Sequence, residues 1–305
     1  MKKYFNDAVI GNKNLKASYT KKGELLRLMY PEADYRQFID FFRVGIHIND
    51  SNLLYLHDDI NNTYKQWYEE DTNILNTEIT NTYFKLKIEQ TDFIPIKQNI
   101  LIKKYKFINQ NNIDIDINFL VYSKLLSDTN NKVAGYCKNN MLLQYMHDYR
   151  VCTFSKNKIA SSRINNSKEN IDEGDVDDKD YVGLSADSSI RYELSTLKPK
   201  EEKEIVIFIC IDNNESSIDE LQKEIDNLKR IDVDSELDNT KKYWRKYVKE
   251  HNGIILELAD TPKNRKIEEI YKRTILLYPL LTNYETGGIS AAIEVDEEYA
   301  ECGRI

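Results

Sequence analysis

Through the first two thirds of the chain, apolar and polar positions alternate with a period of two. In "DIDINFLVYS", Ile115, Ile117, Phe119 and Val121 fall on one face of an extended strand. "NLKASYTKKGELLRLMY" holds two short runs around Lys22-Gly23, a hairpin signal. "FIDFFRVGIHIND" alternates from Arg43 to Ile48, and "SNLLYLHDD" follows a turn at Asn49-Asp50. Further strand-like runs lie between Asn76 and Ser123, then in "YRVCTFSKN", "IRYELSTLKP" and "KEEKEIVIFICID". Turns recur about every ten residues, which favours a large antiparallel sandwich over βαβ units.

After residue 214 the period changes to that of a helix. Ser217 is placed to N-cap, with Glu220 completing a capping box. Ile218, Leu221, Ile225 and Leu228 then recur at helical spacing, and Leu237, Trp244, Tyr247 and Val248 form a second stripe ended near Gly253. A further helix opens at Thr261-Pro262 and is apolar over Ile275 to Leu281, which predicts burial on more than one side. Pro279 inside that run predicts a kink. The expected division is a β-sandwich over 1–214, a helical linker over 215–254 and the start of an α-helical domain over 255–305.

Composition narrows the partners. The formal net charge is -8 with a pI near 5.3, which argues against a nucleic-acid backbone as partner. No stretch of about 18 apolar residues predicts a membrane helix, and the N-terminus lacks a signal-peptide h-region, so a cytoplasmic protein is expected. Lysine, asparagine, isoleucine and tyrosine are abundant; all have A/T-rich codons, so the sequons at Asn61 and Asn165 read as chance.

Motifs for chemistry are sparse. His47, His57, His147 and His251 lack metal-ligand spacing, and Cys137, Cys152, Cys210 and Cys302 form no CxxC pair. That spacing allows one disulfide and identifies none. No metal and no cofactor are expected. In "NNSKENIDEGDVDDKD", Asp175, Asp177 and Lys179 break a calcium loop, whose glycine and terminal glutamate are missing at the required positions, so it reads as a solvated segment. Carboxylates cluster at Glu285, Glu294, Asp296, Glu297, Glu298 and Glu301, a pattern shared by paired catalytic acids and by acidic loops. "TYKQWYEED" offers Trp67, Tyr64 and Tyr68 as an aromatic platform for a sugar ring, against the commoner fate of burial in a sandwich.

One stretch is more specific. "YKRTILLYPLLTNYETGGISAAIEVDEEYAECGR" resembles the approach to the catalytic domain of bacterial glucoamylases, the inverting family that also includes glucodextranases. There a long first helix leads to a Gly-Gly-x-x-Ala-Ala loop, matched here by Gly287, Gly288, Ala291 and Ala292. "IGNKNLKASYTKKGELLRLMYP" is similar to the family's opening hairpin and Tyr-Pro turn, "FFRVGIHIND" to its next strand and "YWRKYV" to its linker helix. The resemblance implies a supersandwich packed on an (α/α)6 barrel, acting on terminal α-glucosidic bonds of malto- or isomalto-oligosaccharides. It also implies that the catalytic glutamates and a glucose-binding motif follow the point where this chain ends. Ile305 and Pro279 depart from the family pattern.

Three roles follow as expectations. The chain is a structural domain of a glucoamylase-like hydrolase, inactive alone and truncated before its barrel. Or it is a carbohydrate-binding module. Or it is a half that meets a separate barrel, or another copy of itself, through the apolar helix over 262–281.

Overall fold

The computed structural model describes residues 6–31, 36–49, 51–126, 133–146, 148–168, 187–213, 215–253 and 259–290. The period-two segments form two antiparallel sheets whose strands are numbered β1–β17 in chain order. The first runs β1 (Ala8–Gly11), β2 (Lys16–Tyr19), β3 (Leu25–Tyr30), β5 (Ile39–Ile48), β11 (Ile115–Leu125), β16 (Ser188–Leu197) and β15 (Ser161–Ile164). Here β4 (Arg36–Gln37) pairs with β3, and β6 (Leu54–Tyr55) with β5. The second sheet runs β12 (Val133–Lys138), β13 (Met141–Met146), β14 (Tyr149–Ser155), β17 (Glu202–Asp212), β10 (Ile100–Asn109), β9 (Leu86–Phe93), β8 (Leu75–Asn81) and β7 (Asn62–Tyr68).

The inner faces of both sheets make one core. Ile115, Ile117, Phe119 and Val121 all lie in it, as their alternation requires. Phe119 sits among Tyr105, Phe107 and Tyr192 with ring centroids 5.2, 5.9 and 6.5 Å away. Spacings in this range are those at which aromatic pairs attract.

Among the described residues three helices follow: α1 (Ile218–Leu228), α2 (Val233–His251) and α3 (Pro262–Leu281). Ser217 and Glu220 make the capping box that their spacing predicts, and Thr261 caps α3 ahead of Pro262. The cap of α2 is Asp232, whose carboxylate accepts from Asp234 and Ser235 N–H groups. Leu221, Ile225 and Leu228 lay α1 across the outer face of the second sheet, over Ile102, Met141, Phe154 and Phe208. The chain stays helical through Pro279, which falls in the last turn of α3.

A polar chain crosses the apolar core. Lys103 on β10 and Asp92 on β9 are register partners facing inward, and Nζ lies 2.7 Å from Oδ1. The Gln90 amide donates to Asp92 Oδ2 and to the Gly23 carbonyl, while its own oxygen lies 2.8 Å from His57 Nε2. All four side chains are buried. Burial pushes the Asp92 carboxyl pKa up and the Lys103 ammonium down, each opposed by its partner's charge. Tyr19 covers the ammonium with its ring centroid 4.7 Å from Nζ. Removing one member leaves the other charge unpaired in a dry core, which is costlier than replacing both.

Burial pushes the His57 pKa down to about 3, against the opposing hydrogen bond to Gln90. The folded imidazole therefore stays neutral while the unfolded one titrates near its ordinary value of about 6.5. Between these values only the unfolded state binds the proton, so this contribution is full above pH ~6.5 and is lost as pH falls toward ~3. The stability difference between wild type and His57→Gln should shrink by roughly 3 kcal/mol from pH 6.5 to 4 in urea unfolding. A constant difference would mean that His57 is protonated in the folded state.

Candidate functional site

The helices α2 and α3 meet the sandwich at the turn after β7 and at the edge strand β1. Val9 on β1 points its N–H and C=O away from β2, where they would form an open sheet edge. The Tyr68 hydroxyl accepts from Val9 N–H at 2.7 Å and lies 3.0 Å from the Val9 carbonyl. Arg273 of α3 donates to the same carbonyl at 2.9 Å and to the Thr72 carbonyl at 3.0 Å. Its guanidinium lies 3.6 Å from the Tyr68 ring centroid. Burial lowers the Arg273 pKa, and the partners around this cation are carbonyl dipoles and a ring face.

The turn is held from both helices. Glu69 Oε1 lies 3.2 Å from Arg245 and 3.6 Å from Lys241 of α2, and Asp71 lies 3.6 Å from Lys272 of α3. Asn73 donates to the Leu276 carbonyl at 3.1 Å. Asp71 adopts φ 55° to make this turn. Behind it, Trp244, Val248, Leu276 and Leu280 pack on Val9 and Met29.

Beside the clamp, and lined in part by Tyr68 and Arg273, lies a cleft of about 830 Å³ between the β7–β8 turn and α3 from Arg265 to Leu276. Trp67, Glu70 and Asp71 line one wall, and Arg265, Glu269 and Ile270 the other. Acidic and basic groups are mixed, and several already pair, as Lys272 does with Glu268 at 3.4 Å. The lining can donate to and accept from hydroxyls without a strong preference for either sign of ion.

The three aromatic candidates separate by strand alternation. Tyr64 and Tyr68 turn toward the core, where Tyr64 donates to the Leu56 carbonyl and Tyr68 holds Val9. Trp67 turns outward, 41% exposed, with Lys65 Nζ 5.3 Å from its ring centroid. Gly287 and Gly288 close a loop in which Asn283 Oδ1 accepts from the Glu285 and Thr286 N–H groups. Gly287 has φ 75°, a conformation that favours glycine, and Thr282 bridges to Ile289 across the loop. Ala291, Ala292 and the carboxylates from Glu294 onward lie outside the described residues, as do His147, Cys302 and most of the acidic segment.

Among the described residues, no three His, Cys, Asp or Glu side chains converge on a point that could hold a metal. No described helix is long and apolar enough to cross a membrane.

No family model matches the chain. It is 26% identical over 309 aligned positions to an uncharacterized glycosyl hydrolase of Methanocaldococcus jannaschii, covering 95% of this chain and 47% of that protein. Its fold matches a bacterial glucoamylase crystallised with acarbose, with TM-score 0.74 and 14% identity over 95% of this chain and 43% of the glucoamylase. A protein provisionally named kojibiose phosphorylase, from the human microbiome, matches at TM-score 0.57 and 16% identity, over 78% of this chain and 35% of its own. What the chain shares with these two structures is the fold, an antiparallel β-sandwich followed by helices. In sequence the chain is similar to a glycosyl hydrolase, and in fold to a glucoamylase. It spans about half the length of the relatives it matches.

Sequence reading missed Arg273. Its signal is a lone cation in the buried stripe Arg273-Leu276-Leu280, a place where a charge must find partners. Arg273→Lys keeps the charge but loses the planar fork that spans two carbonyls and stacks on Tyr68. That variant should lose about 2–3 kcal/mol of helix anchoring. Hydrogen exchange should show α3 amides exchanging about 30-fold faster or more, with the β10 and β17 amides unchanged. Unchanged α3 protection would show that the clamp does not hold the helix.

Proposed function

We propose that this chain is the non-catalytic half of a glucoamylase-like glycoside hydrolase, and that it positions the first helix of the catalytic barrel. The observation that carries this reading is the two-sided character of α3. Ile275, Leu276 and Leu280 are buried, while Ile267, Ile270 and Tyr278 stand 42%, 57% and 52% exposed. At about 100° per residue, the exposed stripe lies largely opposite Leu276. A helix apolar on both sides belongs between two bodies. In this reading the β-domain is one body and a catalytic barrel the other, which the greater length of the relatives supports.

In this reading the full-length protein hydrolyses terminal α-glucosidic bonds of malto- or isomalto-oligosaccharides with inversion. The acid and base carboxyls belong to the barrel, set about 6.5–9.5 Å apart so that a water fits between base and sugar. The β-domain adds no reacting group. It holds α3 and the Gly287-Gly288 loop at a fixed place relative to the sandwich.

A second reading is favoured by one observation, the exposed Trp67 at the mouth of the cleft. An indole face beside mixed donors and acceptors suits a neutral polyol such as an α-glucan oligosaccharide. The chain then carries a sugar-binding surface of its own.

One assay separates these readings. Maltotriose and isomaltotriose are incubated with the chain, and glucose release and oligosaccharide binding are both measured. The proposal expects no release above buffer from the chain, and release as the β-anomer from the longer polypeptide. Release by the chain alone would overturn it. Binding that disappears in Trp67→Ala would establish the second role beside the first.

A further inference from the structure

Sequence spacing leaves the pairing of the four cysteines open, and the sheet topology resolves it for two of them. Cys152 on β14 and Cys210 on β17 are direct register partners. Both belong to the cluster on the outer face of the second sheet, beneath α1. They sit in a column of matched pairs. Arg150 and Asp212 form an ion pair one same-face step along, and Phe154 stacks on Phe208 one step the other way, with centroids 5.2 Å apart.

We propose that Cys152 and Cys210 are a redox-reactive dithiol that a small disulfide such as oxidised glutathione converts to a cross-strand disulfide, stapling β14 to β17. Register partners in an antiparallel pair have Cα atoms about 4.5 or 5.5 Å apart, depending on the pair type. Both values lie within the roughly 4.4–6.8 Å that a disulfide spans. Their Cβ atoms, about 4.5–5.5 Å apart in such pairs, must approach by up to about 1 Å. A small local change in twist supplies that movement. Cys137 lies on β12, where its register partner is Leu142.

The chemistry balances. Cys210 gives its proton to solvent, and its thiolate attacks one sulfur of the small disulfide and expels the other half as a thiolate. Cys152 then gives its proton to solvent, attacks Cys210 sulfur in the mixed disulfide and expels the second thiolate. The protein loses two electrons and two protons, and the small disulfide becomes two thiols.

Access sets the rate. Cys152 is fully buried and Cys210 nearly so. The neighbouring Cys210 thiol, and then burial, push the Cys152 thiol well above the ordinary range, which keeps it protonated. The cover is α1, a helix of 11 residues held by Leu221, Ile225 and Leu228. A helix that short is marginal without its packing, so local detachment of α1 opens the site.

The test uses the chain with Cys137→Ser and Cys302→Ser, incubated with excess oxidised glutathione, alkylated in denaturant and mapped under non-reducing conditions. The expected result is a linked pair of peptides carrying Cys152 and Cys210, reversed by dithiothreitol. Adding Ile225→Ala should speed its formation at least tenfold. Two alkylated thiols after prolonged oxidation of the folded protein would overturn the proposal. So would glutathione retained on Cys210 without transfer to Cys152. The rate comparison is informative only if circular dichroism shows Ile225→Ala folded; the parent variant decides the pairing in either case.

Discussion

The placement of the last helix depends on how a sheet edge is closed. Val9 would present an open N–H and C=O at the margin of the first sheet. Tyr68, from the edge strand of the second sheet, satisfies both, and Arg273 adds a charged donor from α3. One backbone position thus ties together both sheets and the last helix. The guanidinium is buried without a carboxylate beside it among its hydrogen-bond partners, so its charge is stabilised by carbonyl dipoles and the Tyr68 ring. Such an arrangement is intolerant of displacement.

The same logic of paired polarity recurs inside the sandwich. Lys103, Asp92, Gln90 and His57 form a chain of hydrogen bonds where leucines would pack more simply. Its far end reaches the Gly23 carbonyl in the β2–β3 turn, so it fixes that turn against β9. The network specifies a relationship between the sheets that apolar packing alone would leave free to slide. Gly23, at φ 90°, sits against Thr77, where a Cβ would approach within 2.8 Å of the Thr77 hydroxyl. Turn, strand and ion pair are therefore mutually constrained.

Much of this was legible in the sequence, and the reason is locality. Alternation over Ile115 to Val121, the box at Ser217 and Glu220, and the cap at Thr261-Pro262 each depend on neighbours within a few residues. What was not legible is long-range pairing. Lys103 alternates with Leu101, Tyr105 and Phe107, so its inward direction was visible, but Asp92 as its partner depends on strand register. Tyr64, Trp67 and Tyr68 look like one platform in the sequence, yet alternation sends Trp67 outward and the other two inward. Asn73 meets Leu276 across 203 residues, and no periodicity foretells such a contact. The resemblance around Gly287 and Gly288 led to the antiparallel sandwich followed by helices, because a family likeness carries a whole fold at once.

The central claim is that α3 is anchored on one side so that its other side can be covered. Sedimentation velocity of this chain across a wide concentration range, with and without Ile270→Asp and Tyr278→Asp together, tests it most directly. The account predicts reversible self-association of the parent chain through the exposed stripe, and a monomer for the double variant at every concentration. A parent chain that stays monomeric at the highest concentration, indistinguishable from the variant, would contradict it.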